Sequence, residues 1–136
     1  MVIKKTSHAR WELWYHIAWS TKYRKRIFDN EGTKEAIKEI FREIALQYEM
    51  EITEIQILSD HVHFLISAPP KIAPFQIVQI LKSVSTKKLF DRYEWLNRYY
   101  WGGEIWAGGY FVRSIGVGLT KVMIEKYIKE QSEEIG

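Results

Sequence analysis

The chain predicts an α+β fold: a ferredoxin-like or RNA-recognition-like β-α-β-β-α-β antiparallel sheet with two helices on one face, followed by a C-terminal helix. Three observations point there. Apolar residues recur at Ile37, Ile40, Phe41, Ile44, Ala45 and Tyr48, which is helical spacing. Two short isoleucine- and valine-bearing stretches, 51–58 and 61–68, are separated only by Ser59-Asp60, as in a β-hairpin. Strand-like stretches at 11–19 and 109–115 bracket the whole arrangement. A length of 136 residues fits one domain, taken as 1–136.

Each element has its own signal. WELWYHIAW at 11–19 is aromatic and β-branched, as strands are, and the basic turn TKYRKRIF follows it at 21–28. The residues DNEG supply a helix start, so the amphipathic helix spans 31–48. EITEIQIL at 51–58 alternates only loosely through Ile52, Ile55 and Ile57, and Pro69-Pro70 ends the strand at 61–68. Pro74 suits the first turn of a second helix reaching about Phe90. That helix has Ile77, Leu81 and Val84 on one face and Lys82, Ser83, Thr86 and Lys87 on the other. Residues 91–108 are irregular and aromatic, punctuated by Gly102-Gly103 and Gly108-Gly109. GYFVRSI forms the last strand at 109–115, Gly116-Val117-Gly118 breaks the chain, and Thr120 caps a helix reaching about Glu134. The sequence contains no internal repeat and no low-complexity linker.

Composition narrows the function classes. A formal charge of +3 and a pI near 9.0 are compatible with a nucleic-acid partner, although a solvated surface accounts for them equally well. With no cysteine, disulfides and thiolate metal sites are excluded. No apolar run approaches the roughly 18 residues of a membrane span, and MVIKKTSHARWE lacks an apolar signal segment. The expectation is a cytoplasmic protein with no membrane partner.

The most informative stretch is DHVHFLI at 60–66. Strand alternation puts His61, His63 and Leu65 on one face and Val62, Phe64 and Ile66 on the other, helix-covered face. Both imidazoles therefore point to the open side of the sheet. Same-face neighbours lie about 6–7 Å apart, so two rings can converge on one divalent metal, with a third ligand supplied from elsewhere. The competing reading is a polar sheet face that tolerates histidine. In the terminal helix, Ile124, Ile128 and Ile135 form an apolar stripe, while Tyr127 and Gln131 lie four apart and share a face. The pair offers a hydroxyl nucleophile and an amide oxygen one turn away, although on pattern alone the packing reading of Tyr127 outweighs the nucleophile. Lys22, Tyr23, Arg24, Lys25 and Arg26 crowd the first turn as a phosphate-binding rim or a solvated loop. Lys82, Lys87 and Arg113 are further candidate DNA contacts. Trp95, Tyr99, Tyr100, Trp101 and Trp106 are expected mostly to be structural.

Five stretches together resemble the single-tyrosine transposases of the HUH class, from the smallest bacterial and archaeal insertion sequences. They are YHIAWSTKYRKRIF at 15–28, His61-Val62-His63, LKSVSTKKL at 81–89, GGYFVRSIG at 108–116 and IEKYIKEQ at 124–131. They occur in the family's order and cover most of the chain, whereas 91–107 departs from it. The resemblance implies a homodimer that cuts and joins single-stranded DNA beside a hairpin at an insertion-sequence end. His61, His63 and Gln131 then hold Mg²⁺ or Mn²⁺, and Tyr127 forms a 5′-phosphotyrosine, releasing a 3′-hydroxyl without ATP. It also implies active sites shared between subunits, while Asp60 caps its turn or orients a histidine. Three rivals stand beside this reading: a non-catalytic single-stranded nucleic-acid-binding module, a metal-dependent phosphodiesterase that attacks with water, and a domesticated relative that processes chromosomal palindromic repeats.

Overall fold

The computed structural model describes residues 4–5, 10–116, 126 and 128–130, with 4, 5 and 10 as backbone only. It realises the expected order as β3 (Trp14–Ser20), α1 (Glu31–Gln47), β4 (Glu51–Ile57), β5 (His61–Ser67), α2 (Pro74–Arg92) and β6 (Phe111–Ile115). These four strands form one antiparallel sheet in the order β4-β5-β3-β6. Two short strands precede them, β1 (Lys4–Lys5) and β2 (Arg10–Trp11), which pair with each other. The strand expected over 11–19 is therefore split. Trp11 pairs with Lys4, and the main-sheet ladder begins only at Trp14, opposite Ser67. The last strand begins at Phe111 rather than 109, because its register with β3 ends at Ala18, opposite Phe111.

The helices start where the sequence indicated. The Asn30 side chain accepts the Thr33 N–H at 2.8 Å, which satisfies one of the unpaired donors of the first turn of α1. Pro74 opens α2, and Gln76 Oε1 accepts the Ala73 N–H at 2.8 Å. Both helices pack on one sheet face. Ile37, Phe41 and Ile44 of α1 and Ile77 and Leu81 of α2 join Ile17, Trp19, Val62, Phe64 and Ile66 in one buried cluster. Phe41 meets Phe64 edge-on at 4.7 Å between ring centroids, a favoured aromatic geometry.

The loose alternation of β4 has a structural cause. Ile52 pairs with Ile66, but the next pair is Glu54 with Leu65, so Thr53 is an extra residue in the strand. The bulge shifts the strand by one residue and lets Ile52, Ile55 and Ile57 all face the core.

Residues 91–108 contain a 3-10 turn at Glu94–Arg98 and close one edge of the core. Tyr100, Ile105 and Trp106 are buried there, and the Trp106 indole N–H donates to Ser85 Oγ at 2.9 Å. Trp101, by contrast, is 92% exposed. On the opposite sheet face, Ile128, within helical residues 126 and 128–130, buries against Trp14 and Leu65 with Ile115 alongside. No helix among the described residues is long and apolar enough to cross a membrane.

Candidate functional site

The site is built on the open face of the two central strands. β5 places His61 and His63 on one side of its ribbon, and antiparallel pairing sets Ser20 opposite His61 and Ala18 opposite His63. His16 follows on the same face of β3, opposite Arg113 of β6. The expectation that both histidines point away from the helices holds. They are nevertheless not solvent-facing, since His61 is 3% and His63 0% exposed.

Both rings are held through the same nitrogen. His61 Nδ1 lies 2.7 Å from Asp60 Oδ1, and His63 Nδ1 lies 3.0 Å from His16 Nε2. Among the described residues the two Nε2 atoms have no hydrogen-bond partner although both are buried, and the ring centroids are 5.2 Å apart. Two buried imidazole nitrogens in one cluster fit a divalent cation, because a buried polar atom with no partner is costly and coordination would satisfy both. Burial, then the charges of His16 and His61, pushes the His63 pKa down to about 3. Burial, then the Arg113 charge, pushes His16 down to about 4. Both are neutral near pH 7, the state in which imidazole can coordinate. Among the described residues, no group of three or more His, Asp or Glu side chains is placed to hold a metal. A third protein ligand therefore has to come from outside that set. Gln131 and Tyr127, the expected third ligand and nucleophile, lie outside the described residues.

The basic turn is tied directly to this site. Arg24 Nε donates to Asp60 Oδ2 at 3.0 Å, so Arg24, Asp60 and His61 form a chain of polar contacts. Burial works against the Asp60 carboxylate, but bonds from His61 and Arg24 and the Arg24 charge outweigh it and lower its pKa. The Thr21 N–H and Oγ1 both donate to the Asp60 carbonyl, at 2.8 and 3.2 Å, and the Phe28 N–H donates to the Ser59 carbonyl at 3.1 Å. Within this turn Tyr23 (φ 62°) and Arg24 (φ 53°) are left-handed, a conformation that costs a non-glycine residue roughly 1–2 kcal/mol. The surrounding bonds hold that strain, as is common beside functional sites.

The other predicted contacts have diverse environments. Tyr23 is 73% exposed. Lys22 pairs with Glu104 at 3.2 Å, Arg26 pairs with Asp29 at 3.2 Å, and Lys25 lies over the Tyr99 ring at 5.3 Å. Lys82 donates to the carbonyls of Ala107 and Gly109 at 2.7 and 3.0 Å, so much of its donor capacity secures the loop before β6. Burial lowers its pKa. Lys87 on α2 and Arg113 are both exposed, and the Arg113 guanidinium lies 5.7 Å from the Phe111 ring. A cleft of about 230 Å³ opens beside His61, lined in part by Ser20, Arg24, Tyr110 and Phe111. The sequence reading missed His16. Its signal was available in strand alternation, once the first and third main strands are taken as sheet neighbours.

The comparisons with known proteins accord with this architecture. Residues 9–131 match the family model described as transposase, IS200-like, and the chain belongs to that family of DNA-processing enzymes. It is 33% identical over 132 residues to the ISDra2 transposase TnpA of Deinococcus radiodurans, spanning 97% of this chain and 93% of that one. It is 34% identical over 131 residues to the transposase for insertion sequence element IS200 of Salmonella typhimurium, spanning 96% of this chain and 84% of that one. Among solved structures, a candidate transposase from Deinococcus radiodurans R1 superposes with a TM-score of 0.74 at 32% identity, covering 94% of this chain and 97% of that one. A REP-associated tyrosine transposase bound to a REP hairpin has a TM-score of 0.61 at 13% identity, covering 97% and 75%, and this likeness shows the fold alone.

Proposed function

We propose that this transposase cleaves and rejoins single-stranded DNA at insertion-sequence ends through a covalent 5′-phosphotyrosine link formed by Tyr127. The observation that carries the reading is the buried pair of unpartnered Nε2 atoms on His61 and His63, each ring fixed through its Nδ1. Membership in an IS200-like transposase family supports it. His61 and His63, with Gln131, would hold Mg²⁺ or Mn²⁺, since nitrogen and oxygen ligands without thiolate suit these ions. When bound, the ion supplies charge neutralisation at the scissile phosphate and orients its oxygens for in-line attack.

This chain's residues do the rest. The Tyr127 phenol oxygen forms a bond to phosphorus as the bond to the departing 3′ oxygen breaks. The proton lost by the phenol balances the one gained by the new 3′-hydroxyl. Attack by a 3′-hydroxyl on the phosphotyrosine reverses the exchange, so the ester conserves the energy for rejoining and no ATP is needed. An unperturbed tyrosine has a pKa near 10, so the phenol needs the site to become a nucleophile at neutral pH. The candidate phosphate contacts of this reading are Lys22, Tyr23, Arg24, Lys25, Arg26, Lys82, Lys87 and Arg113. Such contacts would make binding fall steeply with salt. Ile128, adjacent in sequence to Tyr127, buries on Trp14 and Leu65, next to His63 on the same face. In a homodimer with shared active sites, the same patch would receive Ile128 from the partner.

The test is adduct formation. Incubating the protein with labelled single-stranded element ends and Mg²⁺ or Mn²⁺ should yield a denaturation-resistant protein–DNA band, and Tyr127→Phe should abolish it. Cleavage by Tyr127→Phe at the wild-type rate would refute the phosphotyrosine route and favour attack by water. Mixing a His61→Ala/His63→Ala protein with a Tyr127→Phe protein, after subunit exchange, should restore partial cleavage only if sites are shared.

A further inference from the structure

We propose that His16 is a positioning residue for His63: its Nε2 accepts the His63 Nδ1–H and thereby commits the His63 Nε2 lone pair to a metal ion. The proposal rests on the metal reading above and adds to it a residue outside the histidine pair. A neutral imidazole has one donor and one acceptor nitrogen, so fixing the proton on Nδ1 leaves Nε2 as the acceptor. Metal-binding histidines generally donate their second ring N–H to an acceptor that sets tautomer and ring orientation. Asp60 does this for His61, at 2.7 Å. At His63 the acceptor is another imidazole, 3.0 Å away and wholly buried.

The local sequence explains why the two rings meet. Directly across from His63 stands Ala18, whose methyl group leaves room for the imidazole to lean diagonally along the sheet. Diagonal cross-strand neighbours come within reach of ring-bearing side chains. His16 is that neighbour. The two rings meet edge to edge, with centroids 5.3 Å apart and planes 21° from parallel, as an in-plane hydrogen bond between ring nitrogens requires. Phe111 of β6 meets the His16 ring edge-on at 5.4 Å. His16 is thus located by packing from two strands while its Nε2 is directed at His63. A histidine that only filled space there would not need that nitrogen.

The decisive variants separate shape from chemistry. His16→Phe keeps a flat ring between His63 and Phe111 and removes the acceptor. His16→Gln places an amide oxygen near the position of the lost Nε2. Mn²⁺ binding to the full-length protein is measured by the electron paramagnetic resonance signal of free Mn²⁺, with folding followed by thermal melting in EDTA. His16→Phe is expected to weaken Mn²⁺ binding about 10- to 100-fold, the range typical of a lost acceptor behind a metal ligand, and His16→Gln should recover most of it. Wild-type Mn²⁺ affinity in folded His16→Phe, alongside its loss in His63→Ala, would overturn the proposal and leave the metal reading standing. Wild-type affinity in His61→Ala and His63→Ala would overturn both. Should His16→Phe not fold, ¹⁵N imidazole spectra of the wild-type protein decide instead. A His63 proton on Nδ1 supports the proposal, and one on Nε2 overturns it.

Discussion

Replacing Asp60 with alanine tests whether the first turn and the histidine pair work as one unit. The substitution removes two contacts: Oδ1 to His61 Nδ1 at 2.7 Å and Oδ2 to Arg24 Nε at 3.0 Å. The His61 side chain is only 4% exposed, so its Nδ1–H would be stranded away from water, at about 1–3 kcal/mol. The Arg24 side chain is 54% exposed and can turn to solvent, so that ion pair adds only about 0.2–1 kcal/mol. The expected destabilisation is about 1–4 kcal/mol, mostly from His61. The bonds from Thr21 to the Asp60 main-chain carbonyl persist, so the turn itself should stay docked. Asp60→Asn keeps an uncharged acceptor and should fall between the two, because charge-assisted hydrogen bonds are about twice as strong as neutral ones. Urea unfolding in EDTA reads the stability term. Titrating Mn²⁺ into a cleavage reaction reads the site, where the concentration for half-maximal rate should rise about 10- to 100-fold in Asp60→Ala. A folded Asp60→Ala protein with an unchanged Mn²⁺ midpoint would refute the idea that the carboxylate orients His61.

Further predictions follow from other contacts. Tyr100 donates from its hydroxyl to the Lys22 carbonyl at 3.0 Å, and burial, partly offset by a Thr21 hydrogen bond, pushes its pKa up to about 12 from 10.0. Its contribution is therefore complete below pH 10 and is lost as pH rises towards 12, so stability should fall across that window, and Tyr100→Phe should flatten the fall while costing about 1 kcal/mol at neutral pH. Ser85→Ala leaves the buried Trp106 indole N–H without its 2.9 Å acceptor and should cost about 1–3 kcal/mol in urea unfolding. Lys82→Met removes the donor to Ala107 and Gly109 and should speed amide exchange in 107–110 more than it changes the salt dependence of DNA binding. EDTA should stop cleavage and leave hairpin binding largely intact, as gel shifts would show. Cleavage persisting in EDTA would exclude the metal reading.

The parts of this architecture that depend on periodicity were legible in the sequence. The apolar rows of α1, the Asn30 start, the Pro74 start and the hairpin around Ser59-Asp60 are local, and the structure has them within a few residues. The inward set Val62, Phe64 and Ile66 followed from alternation alone. What escaped was set by contacts distant in the chain. The bulge at Thr53 is visible only against the β5 register, and the early strand was read as continuous because nothing local shows that Arg10–Trp11 pairs with Lys4–Lys5 and not within the main sheet. The histidines were placed on the correct face, but their burial depends on what covers that face. His16 was passed over because its partner lies 47 residues away. Arg24 read as a phosphate contact from charge alone, whereas its link to Asp60 depends on how the turn folds back.

The extra residue in β4 bears on which codon losses this gene can absorb. On either side of Thr53 the ladder is regular, with Ile52 opposite Ile66 and Glu54 opposite Leu65. Excising Thr53 would join those two pairs into an unbroken strand, with all three isoleucines still facing inward. Excising Gln56 instead would turn one end of the strand over, putting either Ile57 or Ile55 on the outer face. Two in-frame deletions only three codons apart should thus have opposite fates. Thr53 marks a place where the reading frame of the sheet can shorten by one residue without disturbing the strand that bears the histidines.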